Sequence, residues 1–147
     1  QYQPIVDFAT VLITPADHPL ASKRRDRIKL EEIGRYGLIL PPRHLATWRM
    51  VEAVFQQHGV AYNVTLEAGG WEVIKKYVET GLGISIVTDI CLTGHEKLVR
   101  IPLDRFFAHR TYGVVLRREK HLLAPARKFI EMMAPTAAGE LGVTSGG

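Results

Sequence analysis

Between Leu38 and Thr88 the chain alternates short apolar segments with amphipathic runs, and Gly or Pro marks almost every change. "LILPP" reads as a buried strand ended by two prolines, which cannot continue a ladder. In "TWRMVEAVFQQHG", Trp48, Val51, Val54, Phe55 and His58 recur at three- and four-residue steps, the period of one helix face. Thr47 is the expected N-cap of that helix, and Gly59 stands just past its end. "AYNVTLEA" alternates Tyr62, Val64 and Leu66 with polar neighbours, as a strand does. "GGWEVIKKYVETG" returns to the helical period, with Val73, Ile74, Tyr77 and Val78 on an apolar face. Lys75, Lys76 and Glu79 are expected to face water, Gly81 to end the helix, and "ISIVTD" to follow as a compact strand. Strands separated by helices of this length predict an α/β layer architecture with largely parallel pairing.

The flanks extend the pattern without an internal repeat. "FATVLI" (Phe8 to Ile13) reads as one strand meeting the turn "TPADHP", and "LEEIGRYG" as a short helix closed by Gly37, with Leu30 and Ile33 on one face. "EKLVRIPL" and "RTYGVVLR" read as two further strands. Pro125 belongs in the first turn of a last helix whose face is Ala126, Phe129, Ile130 and Met133, and which Pro135 stops. "TAAGELGVTSGG" (136–147) reads as a disordered tail.

A chain of 147 residues with 46% hydrophobic and 23% charged residues suffices for one modest domain with a real core. No apolar run approaches the ~20 residues a membrane helix needs, so no membrane partner is expected. The chain starts without Met, in what reads as mid-strand, and shows no basic and apolar leader; the expectation is a cytoplasmic piece of something longer. The lone cysteine, Cys91, fits a reducing compartment and reads as a small half-buried residue, with no His at a spacing that would make it a nucleophile. The net charge of +4 is mild, and its densest run, "SKRRDRIK", lacks the interleaved aromatics of a nucleic-acid groove; a solvated loop is expected there.

Two glycine clusters flank the "WEVIKKYV" helix. Gly81 to Gly83 follow a helix and precede a strand, so helix C-terminal carbonyls face them, and these repel anions. Gly69 and Gly70 follow a strand and precede a helix, the order that points free N–H groups outward beyond the strand's carboxyl end. "LILPPRHLATWRM" repeats that order, with Arg43, His44 and Thr47 on its loop. Two such ends could converge on a small carboxylate, sulfate or phosphate-like anion. The plain alternatives are a structural Gly-Gly turn, a packing Trp71 and an exposed Arg43. Glu72, in the first helical turn, would compete with an anion if it turned inward. The six histidines show no metal-ligand spacing, and neither a G-x-S-x-G elbow nor a P-loop occurs, so no catalytic residue, metal or cofactor is expected. Asp17 and His18 in "ADHPLA" read as an Asx-type turn with a satisfied His.

"ITPADHPLAS" followed by "IKLEEIGRYGLILPP", then "VIKKYVETGLGISIV" and the closing "LLAPARKFIEMM", resembles the effector-binding domain of LysR-type transcriptional regulators from about Phe8 to Met133. Within that family the sulfur-assimilation regulators are similar in wording around the "GLG" segment. The resemblance implies a two-lobed fold like the type 2 periplasmic-binding proteins, a mixed sheet with flanking helices and a small-molecule effector in the cleft. On that pattern residues 1–13 are a crossover strand from the first lobe, 14–103 the second lobe, 104–135 the return to the first lobe, and 136–147 the tail. One lobe would be complete, joined to the C-terminal part of the other, with the family's N-terminal DNA-binding domain absent. Effector contacts carry over to Pro42, Arg43, His44, Thr47, Gly69, Gly70 and Trp71. Gly69, where the sulfur-assimilation regulators carry a small hydroxyl residue, and Pro41-Pro42, where they carry Tyr and Thr, point away from sulfate-like or acetylserine-like effectors toward something larger and partly apolar. The resemblance also implies a homo-oligomer (dimer or tetramer), DNA contact only through the absent domain, and no enzymatic activity. A transporter's solute-binding protein or, more distantly, a dehydratase-like enzyme would share the architecture.

Overall fold

In the computed structural model the described residues are 2–23, 27–117 and 122–136; positions 24–26 of the basic run and residues 137–147 of the expected tail lie outside them. In chain order the first elements are β1 (Tyr2–Phe8), β2 (Thr10–Thr14), α1 (Leu30–Gly34), β3 (Gly37–Leu40) and α2 (Ala46–Gln57). They are followed by β4 (Asn63–Glu67), α3 (Trp71–Glu79), β5 (Ser85–Thr88), β6 (Val99–Pro102), β7 (Arg110–Val115) and α4 (Ala124–Met133). The elements fall into two compact units, Ala9–His109 and Gln1–Phe8 with Arg110–Gly147. "FATVLI" is accordingly not one strand: Ala9 separates β1 from β2, and each pairs within its own unit.

In the larger unit β2 lies between β5 and β6, antiparallel to both, while β3 runs parallel to β4. A parallel bridge from Leu38 to Ile84 joins the two groups. It is held by Ile39 N–H to the Ile84 carbonyl (2.8 Å) and Ile84 N–H to the Gly37 carbonyl (3.0 Å). The strand order is therefore β4-β3-β5-β2-β6, and the pairing is mixed rather than largely parallel. Parallel neighbours arise only where α2 and α3 return the chain to the same edge of the sheet; no helix imposes a direction between β2 and the strands beside it.

Alternation across the pleat gives the central strands β2, β3 and β5 two buried faces, while β4 keeps Asn63, Thr65 and Glu67 exposed. Leu12, Leu38, Leu40, Ile84 and Ile86 pack with Leu30 and Ile33 of α1 and Trp48, Val51 and Phe55 of α2. Val11, Ile13, Ile39 and Val87 pack on the other face with Ile74 and Val78 of α3. Gly59 (φ 64°) and Gly81 (φ 80°) end α2 and α3 in the left-handed conformation, as the helix-end pattern requires.

Four local expectations are corrected. Thr47 does not cap α2: Leu45 holds the cap position, and Thr47 is buried in the first turn. Gly37 does not close α1, which ends at Gly34; it opens β3, where a Cβ would collide with the Thr65 side chain of β4. On α3, Val73 is exposed and Lys75, only 3% exposed, is buried. The inward face of α4 is narrower than its period suggests: Ile130 is buried against Val114, Leu116 and Leu122, while Phe129, Met132 and Met133 are exposed. Below that helix β1 and β7 form a two-stranded antiparallel ribbon, with a register shift between Pro4 and Val6.

Candidate functional site

Because β3 and β4 are parallel neighbours, their carboxyl ends leave the sheet side by side. The Ala68 N–H donates to the Leu40 carbonyl at 3.0 Å, at the point where both loops begin. From there residues 41–45 lead to α2 and residues 68–70 to α3. The first loop is tightened by Leu45 N–H to the Pro42 carbonyl (2.9 Å), which leaves Arg43 and His44 exposed at its tip. The second turns on Gly70, whose φ of 94° a residue with a Cβ adopts only with strain. A Cβ at Gly69 or Gly70 would meet nothing within 4 Å, so this turn borders open space.

Neither N-cap residue, Leu45 of α2 or Gly70 of α3, makes a side-chain cap hydrogen bond. The first-turn N–H groups of a helix have no intrahelical acceptor and sit at the positive end of its dipole, so an uncapped N-terminus beside open space attracts an anion. Trp71, half-buried, packs against the core that contains Ala68 and Ile74 and forms an apolar flank to the turn. Pro42 is half-buried and Thr47 buried. The Arg43 guanidinium lies over the Trp48 ring, 5.0 Å from its centroid. Its charge also reaches the Tyr62 hydroxyl, whose pKa is pushed up by burial and by the Glu52 carboxylate. The seven expected site residues thus form two groups: Gly69, Gly70 and Trp71 together at the start of α3, and Pro42, Arg43, His44 and Thr47 at the start of α2. Their roots are hydrogen-bonded to one another, and Arg43 is engaged on its own side.

Glu72 does not cap the α3 N-terminus. Its exposed carboxylate lies 2.8 Å from the Lys75 Nζ, one turn along the helix. The same ammonium donates to the Cys91 carbonyl (2.7 Å) and to Glu96 Oε1 (2.8 Å). Burial alone would lower the Lys75 pKa; the hydrogen bonds and charges of Glu72 and Glu96 outweigh it, and the net shift is upward. Glu96 also accepts from the Thr93 N–H (2.8 Å) and hydroxyl (3.0 Å) and the Gly94 N–H (3.0 Å). Lys75 first, and then the Thr93 N–H, hold its carboxyl far below the usual carboxylate range.

Two further polar groups belong to this edge of the sheet and were not singled out by sequence pattern. β5 runs parallel to β3, so Thr88 ends it at the same edge as Leu40, and Thr10 pairs with Thr88 across the antiparallel ladder. The Thr10 hydroxyl makes a weak contact with Met50 Sδ of α2 at 3.9 Å. The Thr88 hydroxyl is buried with no hydrogen-bond partner among the described residues. The available signal was a threonine at the terminus of an otherwise apolar strand.

Elsewhere the chemistry is plain. His18 Nδ1 accepts from the Leu20 N–H at 3.2 Å, so this histidine is satisfied within its turn, with His18 rather than Asp17 as the acceptor. Burial lowers its pKa against the opposing charge of Asp17. Among the described residues no group of three or more His, Cys, Asp or Glu side chains could hold a metal ion. A cavity of about 1020 Å³ lies away from the glycine turn, rimmed by Lys23, Arg27, Lys29, Glu32, Arg35 and Arg105. It is a basin of long charged side chains, with Lys23 and Glu32 ion-paired, and it lacks apolar walls that would orient a small ligand.

Residues 1–138 match the family model described as the LysR substrate binding domain. The HTH-type transcriptional regulator CysB of Burkholderia cenocepacia is 29% identical over 135 residues, 90% of this chain and 42% of that protein. The regulator SsuR of the same species is 32% identical over 134 residues, 90% of this chain and 43% of that protein. The chain therefore spans less than half the length of these relatives. Among solved structures, the regulatory domain of CcmR from Synechocystis PCC6803 in complex with 2-PG superposes with a TM-score of 0.81 at 28% identity, over 93% of this chain and 66% of that one.

Proposed function

Because the chain belongs to the LysR substrate-binding-domain family, we propose that it is the effector-sensing part of a LysR-type transcriptional regulator and that its effector is a small anion held where β3 and β4 end. The observation that carries the site is the turn at Gly69–Gly70: an uncapped N-terminus of α3, a residue with φ 94° that keeps the approach open, and free space in front of it. First-turn N–H groups supply the anion contact, and Trp71 offers an apolar flank for the rest of the molecule. Thr88 adds a buried hydroxyl that has no hydrogen-bond partner among the described residues. The α2 N-terminus, with Pro42, Arg43, His44 and Thr47, forms the adjoining part of the same wall.

The names of the relatives favour this reading over a transporter's solute-binding protein, and a binding role over a catalytic one. An effector shifts an equilibrium only by binding one state better than another, so signalling requires two arrangements of a homo-oligomer with different affinities for it. DNA contact is assigned to parts of the full-length regulator outside the matched region, and the site of action to the cytoplasm.

The test uses the full-length regulator. Calorimetric titration with phosphate, sulfate, 2-PG and small carboxylates should give binding to at least one. Gly70→Val should weaken it about tenfold or more by placing a branched side chain in the anion's path. Arg43→Ala should give a smaller loss. Unchanged affinity in both variants would move the site elsewhere, and failure to shift promoter DNA in a gel with any of these compounds would remove the regulator reading.

A further inference from the structure

Glu72 presents a problem for an anion site at the start of α3. It sits in the first helical turn, where a carboxylate is electrostatically favoured beside unsatisfied N–H groups and would mimic the ligand. Nothing buries it, since its side chain is 85% exposed. What holds it away is Lys75, which lies one turn further along the helix and is itself 3% exposed. Two further contacts fix the ammonium. Glu96 Oε1 and the Cys91 carbonyl accept from it, and Glu96 is in turn pinned by the Thr93 and Gly94 N–H groups. The loop carrying Glu96 is bound to α3 a second time, by the Lys97 N–H donating to Glu79 Oε1 at 3.1 Å.

A buried ammonium is a costly way to fasten a loop, because desolvation opposes the ion pair. Glu96 alone balances its charge. Its reach to Glu72 is then an additional contact, directed at the carboxylate that α3 carries in its own first turn. We propose that Lys75 is a positioning residue that ties Glu72 back along α3 and so keeps an internal carboxylate from occupying the anion site. This rests on the anion-binding reading above. Released from Lys75, Glu72 folds over the free N–H groups near Trp71 and Val73 and competes with the effector.

The full-length protein with Lys75→Gln, Glu72→Gln and the double substitution tests this, with inorganic phosphate and sulfate as probes. Lys75→Gln should weaken anion binding about fivefold, the scale of one first-turn charge near 1 kcal/mol. Adding Glu72→Gln to it should restore the affinity, which repair of a merely structural defect would not do. A Lys75→Gln loss that Glu72→Gln fails to restore overturns the proposal. A second readout needs no ligand: hydrogen exchange of the residue 71–73 amides should slow in Lys75→Gln relative to the parent and return in the double variant. If the parent binds neither probe, the anion site fails by itself, while slowed exchange still supports the Glu72 movement and unchanged exchange rejects it. If Lys75→Gln does not fold, Lys75→Arg replaces it. Arg keeps the charge and should hold both the affinity and the exchange rates at parental values, and a change in either contradicts the role.

Discussion

α3 carries a glycine cluster at each end, and the two do opposite things. At its N-terminal end Gly69 and Gly70 border empty space, and only Gly70 needs a special backbone conformation. At its C-terminal end Gly81 turns the chain with φ 80°, while Gly83 is pressed against β3: a Cβ there would stand 2.6 Å from the Gly37 carbonyl oxygen and 3.0 Å from Ile39 Cγ1. That carbonyl accepts the Ile84 N–H in the bridge that joins the two halves of the sheet. One cluster is glycine so that a ligand can approach, the other so that two strands can. The dipole of the helix makes the same distinction, positive at the first cluster and negative at the second.

Substitutions separate the two ends. Gly83→Val should have the largest effect on the fold, about 3 kcal/mol lost in a urea melt, because the clash is with backbone that cannot yield without breaking the bridge. Its folded fraction should still bind the anion, in contrast to Gly70→Val. Next comes acid. The Glu96 carboxyl is depressed in the folded state, so the stability it contributes is complete above about pH 4.5 and is lost as pH falls through the lowered folded value. Lys75, shifted upward, acts at the other limit: its contribution is complete below about pH 10.5 and is lost as pH rises through the raised value. Glu96→Gln should therefore destabilise the protein fully at pH 7 and progressively less as pH falls below about 4.5, seen as urea midpoints that draw together on acidification; a constant gap would mean that Glu96 does not act as a charged group. The smallest effect belongs to Gly69→Ala, where φ is ordinary and the space is open. Stability should stay within about 0.5 kcal/mol, while anion affinity falls through crowding of the approach. A stability loss as large as that of Gly83→Val would erase the distinction between the clusters.

What could be read from the sequence follows the same division. Strand and helix alternation, the ends of α2 and α3 at Gly59 and Gly81, and the opposite orientations of the two glycine clusters are local properties, set by period and by residue order. Lys75 was not legible, because its acceptors come from Cys91 and Glu96, and α3 taken alone places a lysine toward water. Val73 could not be read as exposed for the matching reason: a helical period gives a face but not its width. The pairing of β2 with β5 and β6 depends on contacts distant in sequence, so a reading from neighbouring elements predicts parallel strands where two of the ladders are antiparallel. Thr10 and Thr88 acquire meaning only once that ladder places them opposite each other.

The central claim is that the N-terminal end of α3, and not its C-terminal end, holds an anion. Backbone amide shifts of the isotopically labelled regulator during a phosphate or sulfate titration measure this directly. Saturable shifts should concentrate at Gly70 to Val73, with smaller ones at the first turn of α2, and the amides of Gly81 to Ile84 should stay in place. Shifts confined to Gly81–Ile84 or to the basic basin around Arg27 and Arg35, with Gly70 to Val73 unmoved at saturation, would contradict it.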